Sequence, residues 1–279
     1  MPIIYALANQ KGGVGKTTTA VNLSAYLAGH GQRVLLVDID PQANATSSLG
    51  VDKRSVSLST YDVLVGDVPF TSIVDSIDRF GVELAPSAPS LAGATVELVG
   101  TPRWEHRLHT ALTELSNEKA YDYVLIDCPP SLGILTVGGL TAATNGVIIP
   151  VQCEYLALEG LSQLARVIRM VRRALNPHLA LRGLLMTMYD ARTNLSQQVV
   201  DEVRQHFRRR VFHTIIPRSV RISEAPSFGV PISVHAPRST GAQAYAALAR
   251  ELLIGDGRYA PASPPADRQG SPLGAVHDR

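Results

Sequence analysis

KGGVGKTT, residues 11–18 (Lys11, Gly12, Gly13, Val14, Gly15, Lys16, Thr17 and Thr18), follows the apolar run IIYALA at residues 3–8 and precedes a helix-like stretch. A glycine-rich turn between a buried strand and a helix is the setting of a phosphate-binding loop. Glycines at 12, 13 and 15 would let successive backbone N–H groups turn inward around phosphate oxygens, where a side chain would clash or block a positive φ. The anion would then sit on a helix N-terminus, with Lys16 adding a point charge and the Thr17 hydroxyl available to Mg²⁺. The common pattern G-x-x-x-x-G-K-[ST] asks for glycine at position 10, which is Gln10 here, and the chain carries an additional lysine, Lys11. A dinucleotide fingerprint fits poorly, because after Gly13-Val14-Gly15 its third glycine would fall on Thr18.

Outward from the loop, apolar strands alternate with helical stretches. Residues 33–38 (RVLLVD), 123–127 (YVLID), 146–151 (GVIIPV), 181–188 and 211–216 read as strands. Residues 16–28, 134–143, about 156–175, 195–209 and 240–253 read as helices. Near-continuous apolar strands of this kind indicate a doubly wound α/β fold, a mostly parallel sheet flanked by helices. Residues 51–100 are rich in turns and predict small helices with one strand near 82–85. The expected organisation is one P-loop domain over residues 1–254 and a Pro-, Ala-, Ser- and Gly-rich, disordered tail over 255–279.

Two further strand ends carry carboxylates. VDIDPQ, residues 37–42, places Asp38 and Asp40 beyond the carboxyl end of a strand, where ligands of open α/β sheets bind, so at least one should face the phosphates. LIDCPPS, residues 125–131, ends its strand in Asp127, an arrangement suited to holding Mg²⁺.

The loop with its extra lysine resembles the deviant Walker A motif of the ParA/MinD family of ATPases. The resemblance implies ATP and Mg²⁺ as cofactors. Lys16, Thr17 and Thr18 would meet the β- and γ-phosphates and the metal, with Asp127 holding the metal and Asp40 near both metal and attacking water. Lys11 would reach the nucleotide of a partner subunit, making ATP the glue of a homodimer. Downstream, residues 186–203 (MTMYDARTNLSQQVVDEV) and 214–232 (TIIPRSVRISEAPSFGVPI) look like the chromosomal ParA, or Soj, group. In relatives the segment matching Pro217 and Arg218 lies against adenine. The family resemblance further implies slow ATP hydrolysis, non-specific binding of double-stranded DNA, a ParB-type partner and a cytoplasmic, nucleoid-associated protein.

Charge supports a polyanion-facing surface. Residues 166–221 hold twelve arginines against three acids, a local +9 within a chain of net +2, leaving −7 elsewhere. Arg192, Arg218 and Arg221 lie in the matching segments and lead the candidates for DNA contact. Arg208, Arg209 and Arg210 form a second cluster, whose alternative use is as a favourable helix terminus.

Other readings are weaker on the residues. A MinD-like membrane ATPase would need a basic amphipathic C-terminal helix, whereas residues 256–279 are interrupted by Pro261, Pro264, Pro265 and Pro272, so no membrane partner is expected. The uncharged stretch 128–153 is broken by prolines and glycines and suits a buried helix followed by a buried strand. An iron–sulfur reductase would use Cys128 and Cys153, the two cysteines, yet both read as small buried residues. A ParA-like positioner of another cargo stays open.

Overall fold

In the computed structural model, which describes residues 1–154 and 157–259 together with all their side chains except those of residues 157–159 and 209, eight strands form one sheet. The expected tail lies outside the described residues beyond 259.

The chain runs β1 (Ile3–Leu7), α1 (Lys16–Gly29), β2 (Val34–Asp38), α2 (Asn44–Ser48), α3 (Thr60–Leu64), β3 (Asp75–Ile77), β4 (Val82–Ala85), α4 (Leu91–Glu97) and α5 (Arg107–Glu118). It continues with β5 (Tyr123–Asp127), α6 (Ile134–Ala142), β6 (Gly146–Gln152), α7 (Ala157–Ala174), β7 (Leu181–Tyr189), α8 (Asn194–Phe207) and β8 (Val211–Pro217). Three helices close it: α9 (Val220–Glu224), α10 (Ile232–His235) and α11 (Thr240–Gly255). The strand order is β3-β4-β2-β5-β1-β6-β7-β8, parallel throughout except for β3, which runs antiparallel along the edge of β4.

Side-chain alternation sorts the core into two layers. Ile4, Ala6, Leu35, Val37, Val124 and Ile126 face one side, against Leu108, Leu112 and Leu115 of α5 and Leu140 of α6. Tyr5, Leu7, Leu36, Tyr123 and Leu125 face the other, against Leu23 and Leu27 of α1 and Tyr245, Leu248 and Leu252 of α11. With both faces covered, each central strand can be apolar along its whole length, which is why these strands read as unbroken hydrophobic runs.

The 128–153 stretch does divide into α6 and β6, and among the described residues no helix is long and apolar enough to cross a membrane. Residues 51–100 hold the expected strand, β4, and also the three-residue β3. Helix α5 has no counterpart in the sequence reading, although Leu108, Leu112 and Leu115 mark one face of it.

At the amino ends of the strands, a polar knot fastens the end of α11 beneath the sheet. Asp256 accepts hydrogen bonds from Tyr5 Oη (2.8 Å) and Tyr123 Oη (3.0 Å), and Arg182 Nε donates to it at 3.1 Å. The Asp256 side chain is only 5% exposed. Arg182 therefore does not belong to the DNA-facing surface in which the charge count placed it. Within the described residues the packed chain continues past residue 254 through this knot, and the Tyr259 ring meets His30 edge-on.

Candidate functional site

Loop 11–18 joins the carboxyl end of β1 to the amino end of α1. Gly13 (φ 71°) and Gly15 (φ 89°) adopt left-handed backbone that costs glycine little and other residues more. Gly12 meets neither demand within this chain: its φ is not positive, and a Cβ there would meet only Pro130 at 3.8 Å. Three bonds pin the loop from outside. Asn9 Oδ1 accepts from Lys11 N (3.0 Å), Asn9 Nδ2 donates to Pro150 O (2.7 Å), and Thr187 Oγ1 donates to Val14 O (2.9 Å). Lys16 is 6% exposed, and its Nζ donates to Lys11 O at 3.3 Å. Burial lowers its pKa, opposed by the charges of Asp127 and Asp40.

Asp38 and Asp127 end adjacent parallel strands in matching register and are both fully buried. Their surroundings differ. Asp38 accepts from Asp40 N (3.1 Å), Thr46 N (2.9 Å) and Thr46 Oγ1 (2.8 Å), which makes it a fastener of the chain after β2. Its pKa is raised to about 6, mainly by burial. Neither carboxylate oxygen of Asp127 has a hydrogen-bond partner among the described residues. Burial, followed by the neighbouring Asp38 charge, raises Asp127 well above the usual carboxylate range, while the Thr17 hydroxyl and Lys16 pull it down without reaching hydrogen-bond geometry. A buried carboxylate left without partners costs too much to be a packing residue and asks for a cation. Asp40 is 5% exposed, accepts from Gln42 N (2.9 Å) and lines the cavity above the loop. Of the two acids in VDIDPQ, Asp40 is therefore the one that faces the site.

That cavity, about 450 Å³, is bounded by Gly12, Gly13, Lys16, Thr17, Asp40 and Ser47 among others. A second space of about 310 Å³ continues from it, sharing Gly15, Thr18, Met188 and Pro226, and is walled by Ile216, Pro217 and Arg218. The structure thus brings the loop, Asp40 and the Pro217–Arg218 turn to one continuous cleft, with Asp127 buried beneath Lys16's end of it. Met188, Ser219, Ser223 and Tyr245 also line the cleft and were not legible beforehand. Met188 has φ 54°, a strained conformation for a residue with a side chain, at the seam of the two spaces. A larger cavity of about 650 Å³ between α3 and α5 shares no residue with the loop, so size alone does not pick out the chemistry.

The remaining candidates lie on the surface. Lys11 Nζ pairs with Glu154 Oε2 at 2.9 Å. Arg192 makes a two-pronged pair with Asp190 (2.9 and 2.7 Å), and Arg218 is close enough to help hold that carboxyl below its ordinary range. Arg221 pairs with Glu224 at 3.0 Å. Arg208 and Arg210 occupy the turn after α8, where Arg210 Nη1 donates to Leu181 O. The Arg209 side chain lies outside the described residues. Cys128 and Cys153 are buried free thiols, the latter pushed up to about 12 by burial, and among the described residues no cluster of His, Cys, Asp and Glu could hold a metal ion by itself.

A family model described as an AAA domain matches residues 2–181. The chain is 54% identical over 249 residues to the sporulation initiation inhibitor protein Soj of Bacillus subtilis, covering 89% of this chain and 97% of that protein. It is 50% identical over 253 residues to the chromosome partitioning protein ParA of Myxococcus xanthus, covering 91% and 88%. Among solved structures, cobyrinic acid a,c-diamide synthase of Mycobacterium smegmatis with bound ATP analogue and magnesium superposes with TM-score 0.80 at 40% identity, over 92% of this chain and 96% of that one.

Proposed function

Because the chain belongs to the Soj/ParA family of chromosome-partitioning ATPases, we propose that it binds Mg–ATP in the cleft over residues 11–18, closes into a nucleotide-sandwich dimer and in that form binds DNA without sequence preference. Hydrolysis stimulated by a ParB-type partner then releases it.

The observation that carries this reading is Asp127: both its oxygens are buried with no hydrogen-bond partner among the described residues, next to buried Lys16 and below a loop with two left-handed glycines. Such a set fits a triphosphate with a divalent cation. Bound Mg²⁺ would neutralise phosphate charge as the bond to the leaving group breaks. The chain's own residues do the positioning. Backbone N–H groups of the loop and the α1 amino end hold the phosphates, and Lys16, little screened in its buried place, adds its charge. Thr17 and Asp127 hold the metal, and Asp40 orients the attacking water. Pro217 and Arg218 border the base, and Lys11 reaches the partner's phosphates. Among the described residues no arginine lines the phosphate end of the cleft, which supports slow turnover in the absence of a partner.

DNA contact follows from dispersed surface arginines, with Arg192, Arg218 and Arg221 leading and 208–210 second, since phosphate binding needs charge and reach rather than base readout. The test is co-sedimentation with random-sequence duplex DNA in ATP, ADP or no nucleotide at two salt concentrations. Binding with ATP alone, weakened by salt, is expected. No binding under any condition would leave the arginines as a solvated face and remove DNA from the proposal.

A further inference from the structure

Two walls of the cleft come from segments far apart in sequence. One is α2, whose Asn44, Ser47 and Ser48 border the phosphate end. The other is the 3₁₀ turn Ala225–Phe228, whose Pro226 borders both parts of the cleft. Behind them, away from the cleft, the ends of these walls touch through two glycines. Gly50 and Gly229 are both left-handed (φ 81° and 62°), and a Cβ on Gly229 would stand 2.6 Å from Gly50 Cα. Backbone meets backbone there, so no flexible side chain could move aside.

Across this seam lies Arg79, from the 3₁₀ turn Asp78–Phe80 after β3. Its Nη2 donates to Leu49 O at the end of α2 (2.7 Å) and to Gly229 O at the end of the opposite wall (3.0 Å). The guanidinium is held over the Phe80 ring, 4.6 Å from its centroid, and a Cβ on Gly50 would come 2.1 Å from Nη2. None of Arg79, Gly50 and Gly229 lines the cleft.

We propose that Arg79 is a positioning residue that sets the width of the nucleotide cleft from outside, by stapling the α2 wall to the Pro226 wall across the Gly50–Gly229 contact. The inference rests on the nucleotide reading of the site. A wall displaced by a fraction of an ångström weakens every contact it makes with a bound nucleotide, while Lys16 and Thr17 on α1, Asp127 on β5, and Asp40, whose backbone is tied to Asp38 Oδ1 and Ser87 Oγ, stay where they are. The staple therefore acts on nucleotide affinity and leaves the chemical step alone.

The experiment titrates the full chain with Mg–ATP by calorimetry and measures ATPase kinetics for Arg79→Met, Gly229→Ala and Arg79→Lys, with Lys16→Ala in parallel. Arg79→Met and Gly229→Ala should each raise Kd and KM about tenfold with kcat kept, the scale of one charge-assisted hydrogen bond. Arg79→Lys, able to serve one carbonyl at a time, should recover part of the loss. Should Arg79→Met not fold, Gly229→Ala and Arg79→Lys carry the test. Affinities within about twofold of the unmodified chain, or a fall in kcat at unchanged KM, would overturn the staple. Loss of binding in Lys16→Ala alone refutes the staple and keeps the site, whereas normal binding in Lys16→Ala refutes the nucleotide reading itself.

Discussion

Lys11 and Glu154, 143 residues apart, form an ion pair with Nζ 2.9 Å from Oε2, and both side chains remain nearly half exposed. A pair so open to water contributes at most about 1 kcal/mol to folding. The loop's additional lysine is thus held by a bond that is cheap to break. Lys11→Ala should leave the thermal midpoint nearly unchanged and abolish ATP-dependent dimerisation, with nucleotide binding partly kept. Sedimentation velocity with and without ATP checks this, and a dimer that persists would take Lys11 out of the interface.

Asp127 should cost the nucleotide-free protein stability. Asp38 and Asp127 both have native pKa values above their unfolded ones, Asp38 at about 6. Between about pH 4 and pH 6 the folded chain holds more protons than the unfolded chain, so these groups lower stability as pH rises through that window. Asp127→Asn removes one of the two adjacent charges. It should stabilise the protein without nucleotide by about 1–3 kcal/mol, more at neutral pH than at about pH 5, and lose Mg²⁺-dependent nucleotide binding. Calorimetric melting at both pH values would decide it, and a destabilised variant at each would mean that Asp127 is satisfied in the native fold.

The arginines should separate by surroundings. Arg192 and Arg221 are exposed and, among the described residues, pair with Asp190 and Glu224. The double change Arg192→Ala, Arg221→Ala should weaken association with every duplex sequence alike and reduce the slope of log K against log salt by about two per protomer, or about four for the dimer. Fluorescence anisotropy across a salt series measures that slope. An unchanged slope would place the contacts elsewhere.

Asp256 should matter for folding and not for the site. Removing its carboxylate takes the counter-charge from Arg182, which keeps only its bonds to Tyr5 Oη and Leu252 O among the described residues, and the acceptor from two tyrosine hydroxyls at the amino ends of the strands. Asp256→Ala should lose about 3–5 kcal/mol in urea unfolding while Mg–ATP affinity in the folded protein stays as it was. Equal losses in both would mean that the knot and the cleft are coupled.

What was legible beforehand was whatever burial writes into adjacent residues. Strands β1, β2, β5 and β6 announce themselves as apolar runs, and KGGVGKTT, Asp40 and Asp127 each sit at the end of one. Short or amphipathic elements were harder: β3 has three residues and one buried side chain, and α5 spaces Leu108, Leu112 and Leu115 along a polar helix whose period was there to be counted. Contacts that close over long sequence distances leave no local mark. Thr187 holds Val14 across 173 residues, and Arg182, read as surface charge, is paired across 74. Nor could spacing distinguish Asp38 from Asp40, because only the fold puts Thr46 beside the first and open space beside the second.

The knot at Asp256 has a practical consequence for anyone attaching a probe. Tyr259 packs beside His30, at the far end of α1 from Gly15. The 14 residues of that helix span about 21 Å. A fluorophore or surface tether placed at Tyr259 itself would sit at the floor of the molecule, clear of the nucleotide mouth, and could report on assembly without standing in the doorway where two copies would meet.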